Sequence, residues 1–328
     1  MVHKLQKRSR GLALVAASVL VMSLNACAAR DTATNADCAQ TYAIGFSHPS
    51  GQAAFVKALK SKVEQAAQAN GCVKVLLDNT QGESLENQRA TLESWVAQKV
   101  NAIVVLPVDN ASVESLRKRA QAQGTKWLTY AGLTEGADGS VGFDNDASGT
   151  MVANDAIAWA GHAYPGGGLT AAITTSPLVG FNGRFAIPNK LLPEAGIDVV
   201  SYQQCLDQAC GLRIAEDTLR EHPNLRVFIG LNDDAALGAL RAFNNAGVDP
   251  QTVYIAGQDG NIDGLEAVKK GGAYRASAAI LLADLAQSII DTSIAAVTGN
   301  GVTNSESAVE LATLRDPAQL DKLIAQYN

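Results

Sequence analysis

Short apolar, β-branched runs alternate with amphipathic stretches through most of this chain. The runs fall at residues 42–46, 73–77, 102–106, 126–129, 140–143, 169–174, 198–202, 227–229, 253–256 and 274–278. Their length and their Gly, Asn and Asp borders predict buried strands. Between them apolar residues recur at helical spacing. Phe55, Leu59, Val63 and Ala66 lead to Gly71; Leu85, Leu92, Trp95 and Val96 follow; Val113, Leu116 and Ala120 lead to Gly124. Strand–helix alternation at this interval predicts an α/β protein with parallel sheets and crossover helices on both faces. The strands are too many for one compact sheet, so two lobes are expected. Asp144 and the small residues after it suit a first crossing, with others near 279–283 and 308–314. The resulting division is 41–144 plus 281–310 in an N-terminal lobe, and 145–280 plus 311–328 in a C-terminal lobe.

The most informative stretch is Asn232-Asp233-Asp234-Ala235-Ala236-Leu237-Gly238-Ala239, after one strand, followed by Gly257-Gln258-Asp259-Gly260 after the next. Two parallel strands thus deliver Asn232, Asp233 and Asp259 at their C-terminal ends, where ligands of open α/β sheets bind. Short amides and carboxylates suit hydroxyl groups. The alternative reading of Asp259 is a cap for a helix at Asn261, and of Asp233 and Asp234 helix-start carboxylates. Enzyme signatures are absent: there is no Gly-x-Ser-x-Gly, no Gly-x-Gly-x-x-Gly after the first strand, and the Gly166–Gly168 run lacks the Lys-Ser/Thr of a phosphate loop. An Asp233/Asp259 acid–base pair, as in a glycosidase, is the remaining catalytic alternative.

The N-terminus reads as an export signal. Lys4, Lys7, Arg8 and Arg10 precede an apolar run at 11–24, shorter than the ~20 residues of a membrane span. Leu24-Asn25-Ala26-Cys27 resembles a bacterial lipobox, with residues 1–26 removed and lipid on Cys27; the alternative is a plain signal cut near Ala28 or Ala29. Residues 28–40 then form a tether. Cys38, Cys72, Cys205 and Cys210 remain, an even count that suits disulfides in an exported chain. Cys38 and Cys72 each precede a strand, so they pair if those strands are parallel neighbours, and Cys205–Cys210 closes a small loop. Free thiols are the alternative. Zinc is disfavoured because the histidines are scattered and no Cys-x-x-Cys occurs; no metal or cofactor is expected. The formal net charge of −6 argues against nucleic acid and anionic lipid as partners.

Asn-Asp-x-x-Ala-Leu-Gly-Ala from Asn232, the later Gly-x-Asp-Gly, the opening Ile44-Gly45-Phe46-Ser47 and Ile103-Val104-Val105-Leu106-Pro107-Val108-Asp109 resemble the ribose-type periplasmic solute-binding proteins. The resemblance runs over residues 41–310. It implies the type I periplasmic binding protein fold: two Rossmann-like lobes, three hinge crossovers and a small sugar or polyol in the cleft. It also implies a membrane ABC transporter permease as partner, a monomer, and a periplasmic or outer-face location. By this likeness Ser47, Phe55, Arg184, Asn232 and Asp259 match ligand positions, and His48, Gln52 and Tyr130 are grouped with them. Departures are Ala131-Gly132 for an Asp-Arg pair, Leu106 for an asparagine, Leu206 for a phenylalanine and Ile280 for a glutamine. They imply a less polar pocket. An amphiphilic or weakly anionic ligand, held by Arg184 against Tyr130, Leu106 and Ile280, is the alternative.

Overall fold

A computed structural model of the chain describes residues 38–177 and 180–328. The expected export signal, Cys27 and residues 28–37 of the expected tether lie outside the described residues. The first half alternates β1 (Tyr42–Ser47), α1 (Ala54–Asn70), β2 (Val73–Leu77), α2 (Leu85–Ala97), β3 (Ala102–Val105), α3 (Asn110–Ala122), β4 (Lys126–Tyr130) and β5 (Gly139–Phe143). Then come α4 (Asn145–Ala163), β6 (Thr170–Thr175), α5 (Gly183–Glu194), β7 (Asp198–Gln204), α6 (Gln208–Glu221), β8 (Leu225–Ile229), α7 (Asp233–Asn245), β9 (Tyr254–Asp259), α8 (Ile262–Lys270) and β10 (Tyr274–Ile280). The chain ends with α9 (Leu282–Thr298), β11 (Asn304–Ser307), β12 (Val309–Thr313) and α10 (Pro317–Ile324).

The strands form two six-stranded sheets, ordered β11-β5-β4-β3-β1-β2 and β12-β10-β9-β8-β6-β7. All pairings are parallel except β10 with β12. Helix punctuation follows local chemistry. Asp109, Asp144, Asp207 and Asn232 cap α3, α4, α6 and α7 by accepting backbone N–H bonds. Gly71 ends α1 in the left-handed conformation that costs glycine least. The central strands of each sheet are buried on both faces, as parallel sheets with crossover helices must be.

The chain changes sheet three times: at Asp144 between β5 and α4, at Leu281 between β10 and α9, and at Ala308 between β11 and β12. Asp144 N donates to Ser307 O at 3.0 Å, tying two of the passages together. The last passage comes earlier than the expected boundary at 310, because Val309 already pairs with Ile280. β11 and β12 were not anticipated from sequence. Asn304-Ser305-Glu306-Ser307 is a polar edge strand without an apolar signature.

The two disulfides join Cys38 to Cys72 and Cys205 to Cys210. The first sits at the adjacent starts of β1 and β2, where Tyr42 N also donates to Cys72 O at 2.9 Å. In the second sheet, fully buried Asp233 is the polar hub. Its Oδ1 accepts from Tyr274 Oη and Ser277 Oγ, each at 2.7 Å, and its Oδ2 accepts from Asn261 N at 2.7 Å. One carboxyl group thus joins α7, β10 and the loop after β9. Burial, then the nearby Asp259 charge, raise its pKa to about 7, against the opposing effect of these donors.

Two stability outcomes follow. Replacing Cys38 and Cys72 by serine should cost about 3–4 kcal/mol by loop entropy, read from denaturant midpoints of oxidised protein; an unchanged midpoint contradicts the bridge's role. For Asp233, the folded state holds a proton that the unfolded chain has released between pH ~4 and ~7. Its contribution therefore falls as pH rises through that window and is constant above it, by a few kcal/mol in all. Asp233→Asn mimics the protonated acid and should lack this decline, so urea midpoints of wild type and variant should diverge between pH 5 and pH 8. Parallel profiles would refute the linkage.

Candidate functional site

The C-terminal ends of both sheets line a cavity of about 300 Å³. His48 follows β1, Leu106 follows β3, Tyr130 ends β4 and Phe143 ends β5; Leu206, Leu231 and Asp259 come from the ends of β7, β8 and β9. Phe55 adds the start of α1, Arg184 the start of α5, and Asn261 and Asp263 the start of α8. The topology explains this convergence, since every parallel strand points the same end at the cleft.

Arg184 is 1% exposed. Its Nε donates to Asn145 Oδ1 at 2.6 Å, and its Nη1 donates to Leu231 O at 3.3 Å and Asp259 Oδ1 at 2.5 Å. The guanidinium carbon lies 4.7 Å from the Phe143 ring centroid and 5.3 Å from that of Phe181. Close approach of α4 and α5 seats it. A Cβ on Gly149 would lie 2.1 Å from Gly183 O, so only glycine lets the two helices meet there. Arg184 Nη2 is buried and finds no partner among the described residues.

Tyr130 is the counterpart from the first sheet. Its ring packs edge-on against Phe46, His48 and Phe143, with centroids 5.7, 5.5 and 6.0 Å away. Its buried hydroxyl also finds no partner among the described residues. Burial, then Asp259, push its pKa up, so it remains a proton donor. Phe143 thus touches both Tyr130 and Arg184, placing two unmatched donors around one ring. Backbone strain gathers at the same place: Ala131, just after Tyr130, has φ 65°, and Asp259 has φ 101°.

His48 completes the donor set. Its Nδ1 accepts from Ser50 N at 3.2 Å, which leaves the proton of the neutral ring on Nε2. Burial and the Lys60 charge hold its pKa well below the ordinary value, so the ring is neutral at physiological pH. Asp259 faces opposing influences: burial raises its pKa and the Arg184 contact lowers it, with a net upward shift. Glu83, Asp234 and Asp263 also line the cavity, and Arg184 is its one cationic lining residue among those described. The wall is therefore hostile to anions.

Of the residues singled out from sequence, His48, Phe55, Tyr130, Arg184, Asn232 and Asp259 line the cavity; Ser47 and Gln52 do not. Ser47 is fully buried, donating to Asp78 and accepting from Gln88 Nε2 at 3.0 Å. Gln52 is exposed and its Oε1 accepts from Gly82 N at 3.0 Å. Asn232 lines the wall with both ends engaged. Its Oδ1 caps Ala235 N at 2.9 Å and its Nδ2 donates to Leu206 O at 2.9 Å. Ile280, expected in the apolar wall, packs instead in the core with Leu282 and Val309. Asp233 lies outside the cavity lining and is saturated by its three donors, so it does not form a carboxylate pair facing a substrate with Asp259. Sequence reasoning missed Phe143, Leu231 and Glu83. The strand-end rule reaches the first two; nothing in the sequence marks Glu83. Among the described residues no group of three or more His, Cys, Asp or Glu could hold a metal ion.

The geometry agrees with what known proteins show. The family model described as periplasmic binding protein domain matches residues 44–301. The ribose import binding protein of Bacillus subtilis is 28% identical over 236 residues, covering 70% of this chain and 73% of the relative. The xylitol-binding protein of Mycolicibacterium smegmatis is 29% identical over 270 residues, covering 79% and 72%. A periplasmic solute-binding protein of an ABC transporter from Actinobacillus succinogenes, solved with D-allose, superposes with TM-score 0.75 at 20% identity, covering 85% of this chain and all (100%) of that one. The matched segment spans both sheets and the cleft between them: the chain belongs to the periplasmic binding protein domain family.

Proposed function

We propose that this chain is the exported receptor of an ABC importer, holding a small neutral sugar or polyol in the cleft. The observation that carries the reading is the pair of buried, unmatched donors, Tyr130 Oη and Arg184 Nη2, one from each lobe. A buried polar group without a partner costs about 1–3 kcal/mol, and a ligand oxygen would recover that cost. Asp259 and the Nε2 proton of His48 add an acceptor and a donor at the same cavity. Ribose and xylitol, named for the two relatives, are polyhydroxylated and uncharged, as this donor and acceptor set requires. The weakly anionic alternative loses support because Asp259 already occupies Nη1 of Arg184 and three further carboxylates line the wall.

The reading extends to partners by the same family logic. A permease in the membrane would receive the ligand, the receptor would act as a monomer, and lipid on Cys27 would hold it at the outer face of the membrane. Binding without catalysis fits a cavity in which Asp259 is paired with Arg184 and Asp234 and Asp263 stand at helix starts.

A thermal-shift panel of sugars, polyols and sugar acids tests the receptor reading. Neutral members should raise the melting temperature, by the equivalent of about 2.7 kcal/mol at a hundredfold excess over Kd, and the acids should not; a shift by acids alone would overturn it. Tyr130→Phe then gives a signed test. Removing an unmatched hydroxyl should leave the free protein as stable as wild type or slightly more so. It should weaken binding of the sugar found by about 1–2 kcal/mol, near tenfold in Kd. Unchanged affinity would remove Tyr130 from the site.

A further inference from the structure

We propose that Gln326 and Tyr327 are positioning residues for the cleft, a strap that couples the crossing at Leu281 to the turn at Asp259 and Gly260; the binding half of this inference rests on the receptor reading above. The strap starts from α10, which belongs to the second sheet. Leu320 and Leu323 are buried there with Leu265 and Ala312, and Lys269 on α8 pairs with Asp321 at 2.9 Å. One short turn, Ala325–Tyr327, then reaches the start of α9. That helix packs with the first sheet, its Leu285 and Ile289 buried in one cluster with Ile44 and Val104.

A helix N-terminus leaves backbone N–H groups without intrahelical partners. Leu281, at the N-cap of α9, has no side-chain acceptor to offer. Gln326 supplies one instead. Its Oε1 accepts from Leu282 N at 2.7 Å, while its Nε2 donates to Leu323 O at 3.3 Å and lies 3.5 Å from Ile280 O. One amide thus stands against both sides of the crossing. The next residue reaches the site. Tyr327 Oη donates to Gly260 O at 2.7 Å, and its ring packs against the apolar clusters of both sheets. Burial, foremost, raises the pKa of this phenol, so it stays a donor. Gly260 follows Asp259, the partner of Arg184, at the place where two successive residues have positive φ. A rotation of α9 about Leu281 that drew Leu282 N away from Gln326 would leave that N–H unpaired and pull on the segment that holds Gly260 O. The helix cap and the site turn are therefore favoured together.

The test joins hydrogen exchange of the free, disulfide-intact protein to calorimetric titration with D-ribose, xylitol and D-allose. Gln326→Ala removes the cap without touching Gly260, and Tyr327→Phe removes one hydroxyl while keeping the ring. In each variant exchange should quicken in peptides covering 259–264 and 281–286, by about fivefold or more even at the place the substitution does not touch. Whichever of the three compounds wild type binds should bind each variant about fivefold more weakly. Gln326→Glu keeps an acceptor for Leu282 N and should return both readouts to within about twofold of wild type. Faster exchange confined to the contact that each variant breaks would overturn the coupling and leave the receptor reading standing. Unchanged affinity in both variants, or no rescue by Gln326→Glu, would overturn it as well. Binding of none of the three by wild type would count against the receptor reading instead, and exchange at the remote peptide would then carry or overturn the coupling alone.

Discussion

A buried guanidinium is the constraint on which the site depends. Charge removed from water is costly unless it is paired and hydrogen-bonded, and losing one partner of such a pair typically costs 3–5 kcal/mol. Arg184 meets the requirement with groups from both sides of the cleft. Asp259 and Leu231 O come from the second sheet, the Phe143 ring from the first, and Asn145 from the passage between them. Its position is therefore set by both lobes together. The remaining N–H group at Nη2 is left over from that arrangement, on a side chain that lines the cavity.

Rigid support beneath makes this possible. Gln258 is fully buried; its Nε2 donates to Arg184 O and Gly230 O, each at 3.0 Å, and its Oε1 accepts from Ser148 Oγ at 2.7 Å. Asp233 fixes the next loop through Asn261 N. Between these anchors Asp259 is held at φ 101°, a conformation that few non-glycine residues adopt. Gly260 follows at φ 68°, where a Cβ would lie 2.3 Å from that of Ala279. The Gln258-Asp259-Gly260 run thus divides its labour: one residue sets the arginine backbone, one pairs its charge, and one permits the turn. Packed neighbours thus support the strained backbone at Asp259 and fix the carboxylate that pairs with Arg184.

Much of the fold was legible because parallel strands buried on both faces are near-continuous apolar runs, and helix ends carry caps. Asp109, Asp144 and Gly71 punctuate the chain where the sequence placed boundaries. β11 was illegible because a polar edge strand looks like a loop. Within the site, period-two alternation limited what the sequence could say. Ser47 and His48 are adjacent, yet one turns beneath the cleft to Asp78 and Gln88 while the other lines it. Asn232 and Ile280 misled for a related reason. A motif names a position, but whether its side chain faces ligand, caps a helix or fills a core depends on neighbours from distant strands.

The central claim is that the two unmatched donors on either side of Phe143 are the ligand's anchor. A crystal structure of the protein with a bound sugar tests it most directly. The account predicts ligand oxygens within hydrogen-bond distance of both Tyr130 Oη and Arg184 Nη2. A sugar seated in the cleft that left both groups without a partner would contradict it.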